Sequence, residues 1–221
     1  MAAGRNQHRT LLPSARRIAV AILLTATAWQ TVAAADFDHT HSAFTEILEA
    51  HVKNGRVDYR ALKAKPGALK QYLDSLARVP RRRFGKWQEK QRLAFLFNLY
   101  NAATLQLIVD HYPVAGIKKI GGWLKSPWDL TVVRVFGGRI SLNRLEHKIL
   151  RQEYNEPRLH LALVCAAGGC PPLRREAFTA ETLDKQLDEQ ARAYLGSAKG
   201  LRIDRRAGVV YVSSIFKWYG G

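Results

Sequence analysis

A long apolar segment, residues 91–111, is the feature that most constrains how this chain can fold. Its apolar side chains cover most sides of a helix rather than one stripe, which predicts a helix buried by its surroundings. Pro113 follows the segment and marks its end. Because a helix of this kind is covered from several directions, the other elements are expected to pack around it.

Shorter patterned segments flank this helix on both sides. Spacing predicts helices over residues 44–52 and 69–76, from a Ser141 cap to about Tyr154 and from a Thr179 cap to Gly196; hairpins over 131–142 and 201–212; and a buried strand over 159–164. The expected fold class is α+β, with a helix-rich single domain around a small, largely antiparallel sheet and a long buried central helix.

The N-terminal 35 residues have the pattern of a signal peptide. Four arginines and no acidic residue precede an apolar core over residues 18–29, and three alanines at 33–35 stand before Asp36. This predicts cleavage before Asp36 and an exported domain of residues 36–221, periplasmic or secreted, with no membrane span after cleavage. An uncleaved N-terminal anchor is the alternative.

The chain is strongly basic. Its formal net charge is +17, and removing the four arginines of residues 1–35 leaves +13. Such a domain is expected to be attracted to anionic surfaces. The arginines are scattered in short clusters without interleaved aromatic residues, so no dedicated nucleic-acid site is predicted. The expected partner is an unknown substrate or a ligand of the cell envelope.

Residues 158–174 concentrate the candidate chemistry. They hold both cysteines, Cys165 and Cys170, together with His160, a glycine pair and a proline pair. An apolar run leads into the glycines, as where a buried strand delivers polar groups to a loop.

Three interpretations of the cysteines compete. In an oxidising compartment Cys165 and Cys170 would form a disulfide. Alternatively, Cys165 is a nucleophile with a histidine as base and a carboxylate or amide behind it. His147 is the preferred base, because alternation along a strand would turn His160 away from Cys165. Zinc is disfavoured because the spacing matches no standard site, so no metal and no cofactor are predicted.

Two further polar groups interrupt apolar helix faces. Glu146 falls on the stripe of Leu142, Leu145 and Ile149, where a carboxylate needs partners, either a structural arginine or a histidine that it orients. Asn98 and Asn101 share one face of the central helix. They either tie that helix to the backbone of a neighbouring loop or contribute to a site.

Several segments together resemble a known family. They are F-L-F-N-L-Y-N-A (95–102), S-L-N-R-L-E-H-K-I-L-R (141–151) and R-L-H-L-A-L-V-C-A-A-G-G-C-P-P-L-R (158–174), preceded by V-D-Y-R-A-L-K (57–63) and followed by I-F-K-W-Y (215–219). In this order they resemble the family catalogued as domain of unknown function 547, over most of residues 40–219. The resemblance implies a fold more than an activity.

The resemblance also ranks the candidate residues. Its pattern maps onto Asn98, Tyr100, Asn101, Glu146, His147, Arg151, His160, Pro171 and Arg174. Some relatives carry serine where this chain has Cys165 and an acidic residue at the position of Cys170, which implies that the disulfide is not a requirement of the family. Relatives continue past the I-F-K-W-Y segment, so the last family element is expected to be missing here.

Two functions are therefore expected from the sequence. The favoured one is a thiol-dependent hydrolase or acyl transferase acting on an amide or thioester, with Cys165 as nucleophile, His147 or His160 as base and Glu146 orienting it. Asn98, Asn101 and Arg174 would bind the substrate. The alternative is a non-catalytic binding module of the cell envelope, with a structural Cys165–Cys170 disulfide.

Overall fold

The computed structural model describes residues 36–122, 125–166 and 169–219, together with Met1. The predicted signal peptide falls on residues 1–35 and lies outside this description apart from Met1. The helices are α1 (Ser42–His51), α2 (Tyr59–Ala64), α3 (Gly67–Ala77), α4 (Arg81–Phe84), α5 (Glu89–His111), α6 (Leu142–Arg144), α7 (Arg151–Glu153), α8 (Leu159–Ala162), α9 (Leu183–Leu195) and α10 (Ser214–Tyr219). Short 3₁₀ turns occupy Ile117–Lys119 and Pro127–Asp129.

Helix α5 is the centre of the core, as the sequence predicts. Its N-terminus is fixed by a capping box, in which Gln88 and Gln91 exchange side-chain and backbone hydrogen bonds. Among the described residues it is the helix long and apolar enough to cross a membrane, but 89% of its most apolar window is buried inside the protein. Helices α2, α3 and α6 pack against it, so its apolar composition is that of a core helix.

The strands form separate two-stranded antiparallel hairpins in the described residues. They are β1 (Val52–Lys53) with β2 (Arg56–Val57), β3 (Val133–Val135) with β4 (Gly138–Ile140), and β5 (Leu201–Asp204) with β6 (Val209–Val212). The first turn is Asn54-Gly55, both with positive φ. A Cβ on Gly55 would lie 2.5 Å from that of Pro172. Glycine at this position therefore lets the hairpin pack closely against the segment after Cys170. The fold is α+β.

A π turn, Leu145–Leu150, lies between α6 and α7. Ser141 caps the N-terminus of α6, as predicted, because its Oγ accepts a hydrogen bond from the backbone N–H of Arg144 at 3.1 Å. The wider turn moves the next buried position from Ile149 to Leu150, which is fully buried. Glu146 stays on the inner side of this turn.

Two local predictions are wrong. Residues 159–162 form the helical turn α8 rather than a strand, and extended backbone without a strand partner follows them. An apolar run this short fits either structure, so its pattern could not decide. Helix α9 begins at Leu183 with Thr182 at its N-cap, not at Thr179, whose hydroxyl instead lies 2.8 Å from that of Thr182. Its predicted end at Gly196 is confirmed.

Candidate functional site

A cleft of about 1020 Å³ brings most of the predicted site residues together. Its walls include Glu146 and His147 from the π turn, His160 from α8, and both cysteines. These three segments follow one another along the chain, and they meet around one opening. The predicted grouping of a carboxylate, two histidines and Cys165 is therefore present in one place.

Glu146 is the most deeply placed of these groups. It is 7% exposed, and its Oε2 accepts a hydrogen bond of 3.0 Å from the hydroxyl of Tyr100 on α5. Its Oε1 lies 3.3 Å from Nδ1 of His160. Burial of a carboxylate is tolerated because it has such partners. Glu146 is buried, as its place on the apolar stripe predicts, and it lies beside His160, whereas Arg174 takes no part in the described contacts of Glu146.

His160 is held by the helical turn α8, and its position overturns the reason for preferring His147. Strand alternation would have directed His160 away from Cys165, but α8 is helical and His160 lines the same cleft as Cys165. The backbone just after α8 is fixed by Asn101, whose Nδ2 donates to the carbonyl of Ala162 at 3.0 Å and whose Oδ1 accepts from the N–H of Val164 at 2.9 Å.

His147 also lines the cleft, one residue further along the π turn. Its Nδ1 lies 3.4 Å from Nη1 of Arg151, which can donate to it. The carboxylate of Glu146 lies beside His160 instead. Of the two histidines, His160 is the one whose described contacts include this carboxylate.

Cys165 and Cys170 are joined by a disulfide, with their Cα atoms 6.1 Å apart. This is an ordinary separation for a disulfide. Ala166, directly after Cys165, has φ of 53°, a left-handed conformation that costs a non-glycine residue about 1–2 kcal/mol. Helix α9 holds the far side of this loop, because the hydroxyl of Tyr194 donates to the carbonyl of Gly169 at 2.7 Å and Gln190 donates to that of Pro172 at 2.6 Å.

Asn98 and Asn101 tie helix α5 to neighbouring backbone, one of the two roles the sequence left open. Nδ2 of Asn98 donates to the carbonyl of Phe178 at 2.8 Å, and Oδ1 accepts from the N–H of Phe178 at 2.9 Å. Both asparagines are buried, and both use their amide oxygen and nitrogen in this way. Their predicted contact with substrate stays a prediction, for which the cleft walls give no support.

Arg174 lies in a different place from the predicted cluster. It contacts Glu176, donates to Glu189 at 2.9 Å and donates to the backbone carbonyl of Gln186 at 3.1 Å. It lines a separate polar pocket of about 650 Å³ beside Pro172. These contacts fasten the segment after Cys170 to helix α9.

The structure adds contacts and residues that sequence reasoning did not predict. The family resemblance includes Tyr100 among the candidate residues but gives it no partner, and its hydroxyl reaches Glu146. A tyrosine on a fully buried helix needs a hydrogen-bond partner, which was the available signal. Trp128 also lines the cleft, and its indole N–H is buried without a hydrogen-bond partner among the described residues. Three exposed lysines complete the polar wall, namely Lys118, Lys119 and Lys199.

The described residues contain no group of three or more histidine, cysteine, aspartate or glutamate side chains placed to hold a metal ion. The chemistry available from the described lining is thus that of a carboxylate, two imidazoles, two sulfurs and several cationic or neutral donors.

Comparison with known families gives one match. Residues 84–195 match the family described as "Protein of unknown function, DUF547". The match covers about half of the chain, and it includes the central helix, the π turn, α8 and the cysteine loop. The chain belongs to this family, as its motifs indicate. No curated protein and no solved structure matches it.

Proposed function

We propose that this protein is a thiol-dependent hydrolase or acyl transferase that acts on an amide or thioester, with Cys165 as nucleophile. One observation carries the proposal: Glu146 Oε1 lies 3.3 Å from Nδ1 of His160, at a cleft that Cys165 also lines. A carboxylate at Nδ1 leaves Nε2 to accept the thiol proton. Tyr100 holds the second oxygen of Glu146, which keeps the carboxylate in place.

The reaction would proceed in two steps, acylation of Cys165 and release of the acyl group. His160 takes the proton of Cys165, the sulfur attacks the acyl carbonyl, and the imidazolium gives the proton to the departing amine or thiol. Water, or an acceptor amine in a transferase, then attacks the thioester on Cys165 and restores the thiol. The N–H of Trp128 is our candidate donor to the acyl oxygen. Trp128→Phe should slow acylation without lowering the melting temperature; an unchanged rate would assign this N–H no part.

The disulfide makes this structure the resting form. A sulfur bonded to Cys170 cannot attack a carbonyl, so an external dithiol has to reduce the bond, giving two thiols and its own disulfide. The bond spans a sequence separation of only 5 residues, and the chain-entropy model gives a loop of this size about 2 kcal/mol of stabilisation. The domain is therefore expected to remain folded after reduction.

Alkylation by iodoacetamide, read by peptide mass, tests the proposal. After reduction by dithiothreitol, Cys165 should be modified quickly at neutral pH, and His160→Ala should slow this at least tenfold. His147→Ala is the matched control and should leave the rate within about twofold, the size of an ordinary surface effect. Equal slowing in the two variants would mean that the experiment assigns the base to neither histidine, and it would remove the support for His160.

The disulfide itself favours a second candidate, a non-catalytic binding module of the cell envelope. In this case the bond would serve to hold the cleft open for a ligand, and Lys118, Lys119 and Lys199 would favour an anionic one. The two candidates differ in their response to reduction. A binding module is expected to lose stability and gain no reactivity, whereas a thiol enzyme gains reactivity at Cys165.

We also propose export, with residues 36–221 as the mature chain. The basic start, the short apolar core and the alanines before Asp36 support cleavage there. The disulfide is consistent with an oxidising, periplasmic or extracellular compartment. The intact mass of the protein recovered from its producing cells is the test, and a species that retains residues 1–35 would contradict cleavage.

A further inference from the structure

The C-terminal hairpin of β5 and β6 concentrates the exposed apolar surface of the protein. Among residues 36–216 whose side-chain burial is described, the exposed large apolar side chains all lie between residues 203 and 216: Ile203, Val209, Val210, Tyr211, Val212 and Phe216, which are 41–58% exposed. Apolar side chains gathered on one surface mark a candidate interaction site. The described residues leave this surface of the hairpin uncovered.

One face of this hairpin is entirely apolar. Cross-strand partners share a face, and the pairs are Leu201 with Val212 and Ile203 with Val210. Ile203 and Val210 are each 56% exposed and Val212 is 58% exposed. The opposite face is mixed, because there Arg202 lies with its guanidinium carbon 3.8 Å from the ring centre of Tyr211.

The surroundings of this apolar face are cationic. Lys199 is exposed just before β5, Arg202 on the opposite face of β5, and Arg205 and Arg206 at the hairpin tip. The acidic residue of the hairpin, Asp204, is engaged in the turn, because its Oδ1 accepts hydrogen bonds from the N–H groups of Arg206 and Ala207 at 3.1 and 3.0 Å. The surface is thus apolar with a positive rim.

We propose that this hairpin docks the protein on anionic phospholipid surfaces. The apolar face would enter the boundary between headgroups and acyl chains, and the arginines would contact the phosphates. The strength of interfacial binding rises with the apolar area buried and with the attraction to anionic lipids, so the two contributions would add. Val212 belongs both to this face and to the wall of the cleft, so docking would bring the cleft to the lipid surface.

A second copy of the chain fits this surface less well. Four-residue strands at ~3.4 Å per residue, paired ~4.8 Å apart, present a face on the order of 150 Å². A stable protein interface buries roughly 800 Å² on each partner. Two copies would also bring their arginine-rich tips together, and like charges repel.

Hydrogen exchange of the full chain with phosphatidylcholine vesicles, with and without phosphatidylglycerol, tests the proposal. Protection should appear in peptides covering residues 201–212 only when phosphatidylglycerol is present, and salt should weaken it. Because the readout is confined to these peptides, any attachment through residues 1–35 does not contribute. Equal protection by phosphatidylcholine alone, no protection, or protection that rises with protein concentration without vesicles would each overturn the proposal.

Paired variants separate the two contributions to docking. Arg205→Gln with Arg206→Gln should weaken vesicle binding about thirtyfold, which is ~1 kcal/mol per arginine converted at 1.4 kcal/mol per tenfold. Arg56→Gln with Arg60→Gln removes the same charge from another exposed segment and should have little effect. Ile203→Thr with Val210→Thr should weaken binding at least tenfold, whereas Val209→Thr on the opposite face should not. Equal effects from a variant pair and its control would contradict the assignment.

Discussion

Two histidines, the buried His41 and the partly buried His160, show how the same side chain serves the core and the cleft. His41 is 1% exposed, its ring packs beside Phe37 and Tyr72, and its Nδ1 lies 2.7 Å from the hydroxyl of Tyr72. Burial lowers its pKa to about 4. His160 is instead placed between the carboxylate of Glu146 and the cleft. Burial favours the neutral form of His41, whereas His160 lies beside a carboxylate at the cleft.

Of the substitutions predicted below, removal of the Glu146 side chain should lower the free energy of unfolding most. Glu146→Ala is expected to lower the free energy of unfolding by about 3–5 kcal/mol, because it leaves His160 and Tyr100 buried without their shared partner. Tyr100→Phe, which keeps the carboxylate, should cost only about 1–2 kcal/mol. Urea unfolding of both variants measures the difference. A loss below that of Tyr100→Phe would mean that Glu146 does not hold the cleft together.

Acid should destabilise the protein through His41. Because the pKa of His41 is lower in the folded chain than the usual 6.5, the unfolded chain binds more protons between pH 6.5 and about 4. The contribution of His41 to the free energy of unfolding is therefore fully present above pH 6.5. About 3 kcal/mol of it is lost as the pH drops towards 4. Asp38, whose pKa is lowered to about 2, contributes only below this window.

His41→Asn is the control for this pH dependence. Asparagine tolerates the left-handed backbone of this position, where φ is 52°, and it has no proton to gain. Unfolding of the variant should be less steep in pH between 6.5 and 4. The same slope in both proteins would assign the acid sensitivity to other groups.

Substitution of the two asparagines of α5 should separate an effect on stability from an effect on the reactivity of Cys165. Asn98→Ala and Asn101→Ala each leave a buried N–H and a buried carbonyl unpaired, and each should cost about 2–3 kcal/mol. Asn101 holds the backbone that leads to Cys165, whereas Asn98 holds Phe178. Asn101→Ala alone should therefore change the alkylation rate of reduced Cys165, and equal rates in the two variants would contradict this division.

Much of the fold, but less of the site, follows from the sequence. The central helix, the asparagine face and the inward Glu146 are each set by residues a few positions apart, so their spacing predicts them. The pairing of Glu146 with His160 rather than with Arg174 joins elements that the chain brings together only on folding. The strand predicted over residues 159–164 directed His160 away from the cleft, so this pair was not preferred. An apolar run of that length is also compatible with the helical turn that forms.

The smallest effect is expected next to Cys165. Ala166 has a left-handed backbone that glycine adopts without a Cβ penalty. Ala166→Gly should therefore raise stability by up to about 1 kcal/mol. A thermal unfolding curve that shifts downwards instead would show that the loop depends on the alanine side chain.

The most direct measurement of the central claim is the intact mass of Cys170→Ala after brief exposure to p-nitrophenyl acetate. This variant leaves the thiol of Cys165 without a disulfide partner and needs no reductant. The account predicts one acetyl group, located on Cys165 by peptide mass, that forms at least tenfold more slowly when His160→Ala is added and at an unchanged rate with His147→Ala. No acetyl group on Cys165, or the same rate with and without His160, would contradict a cysteine nucleophile activated by His160.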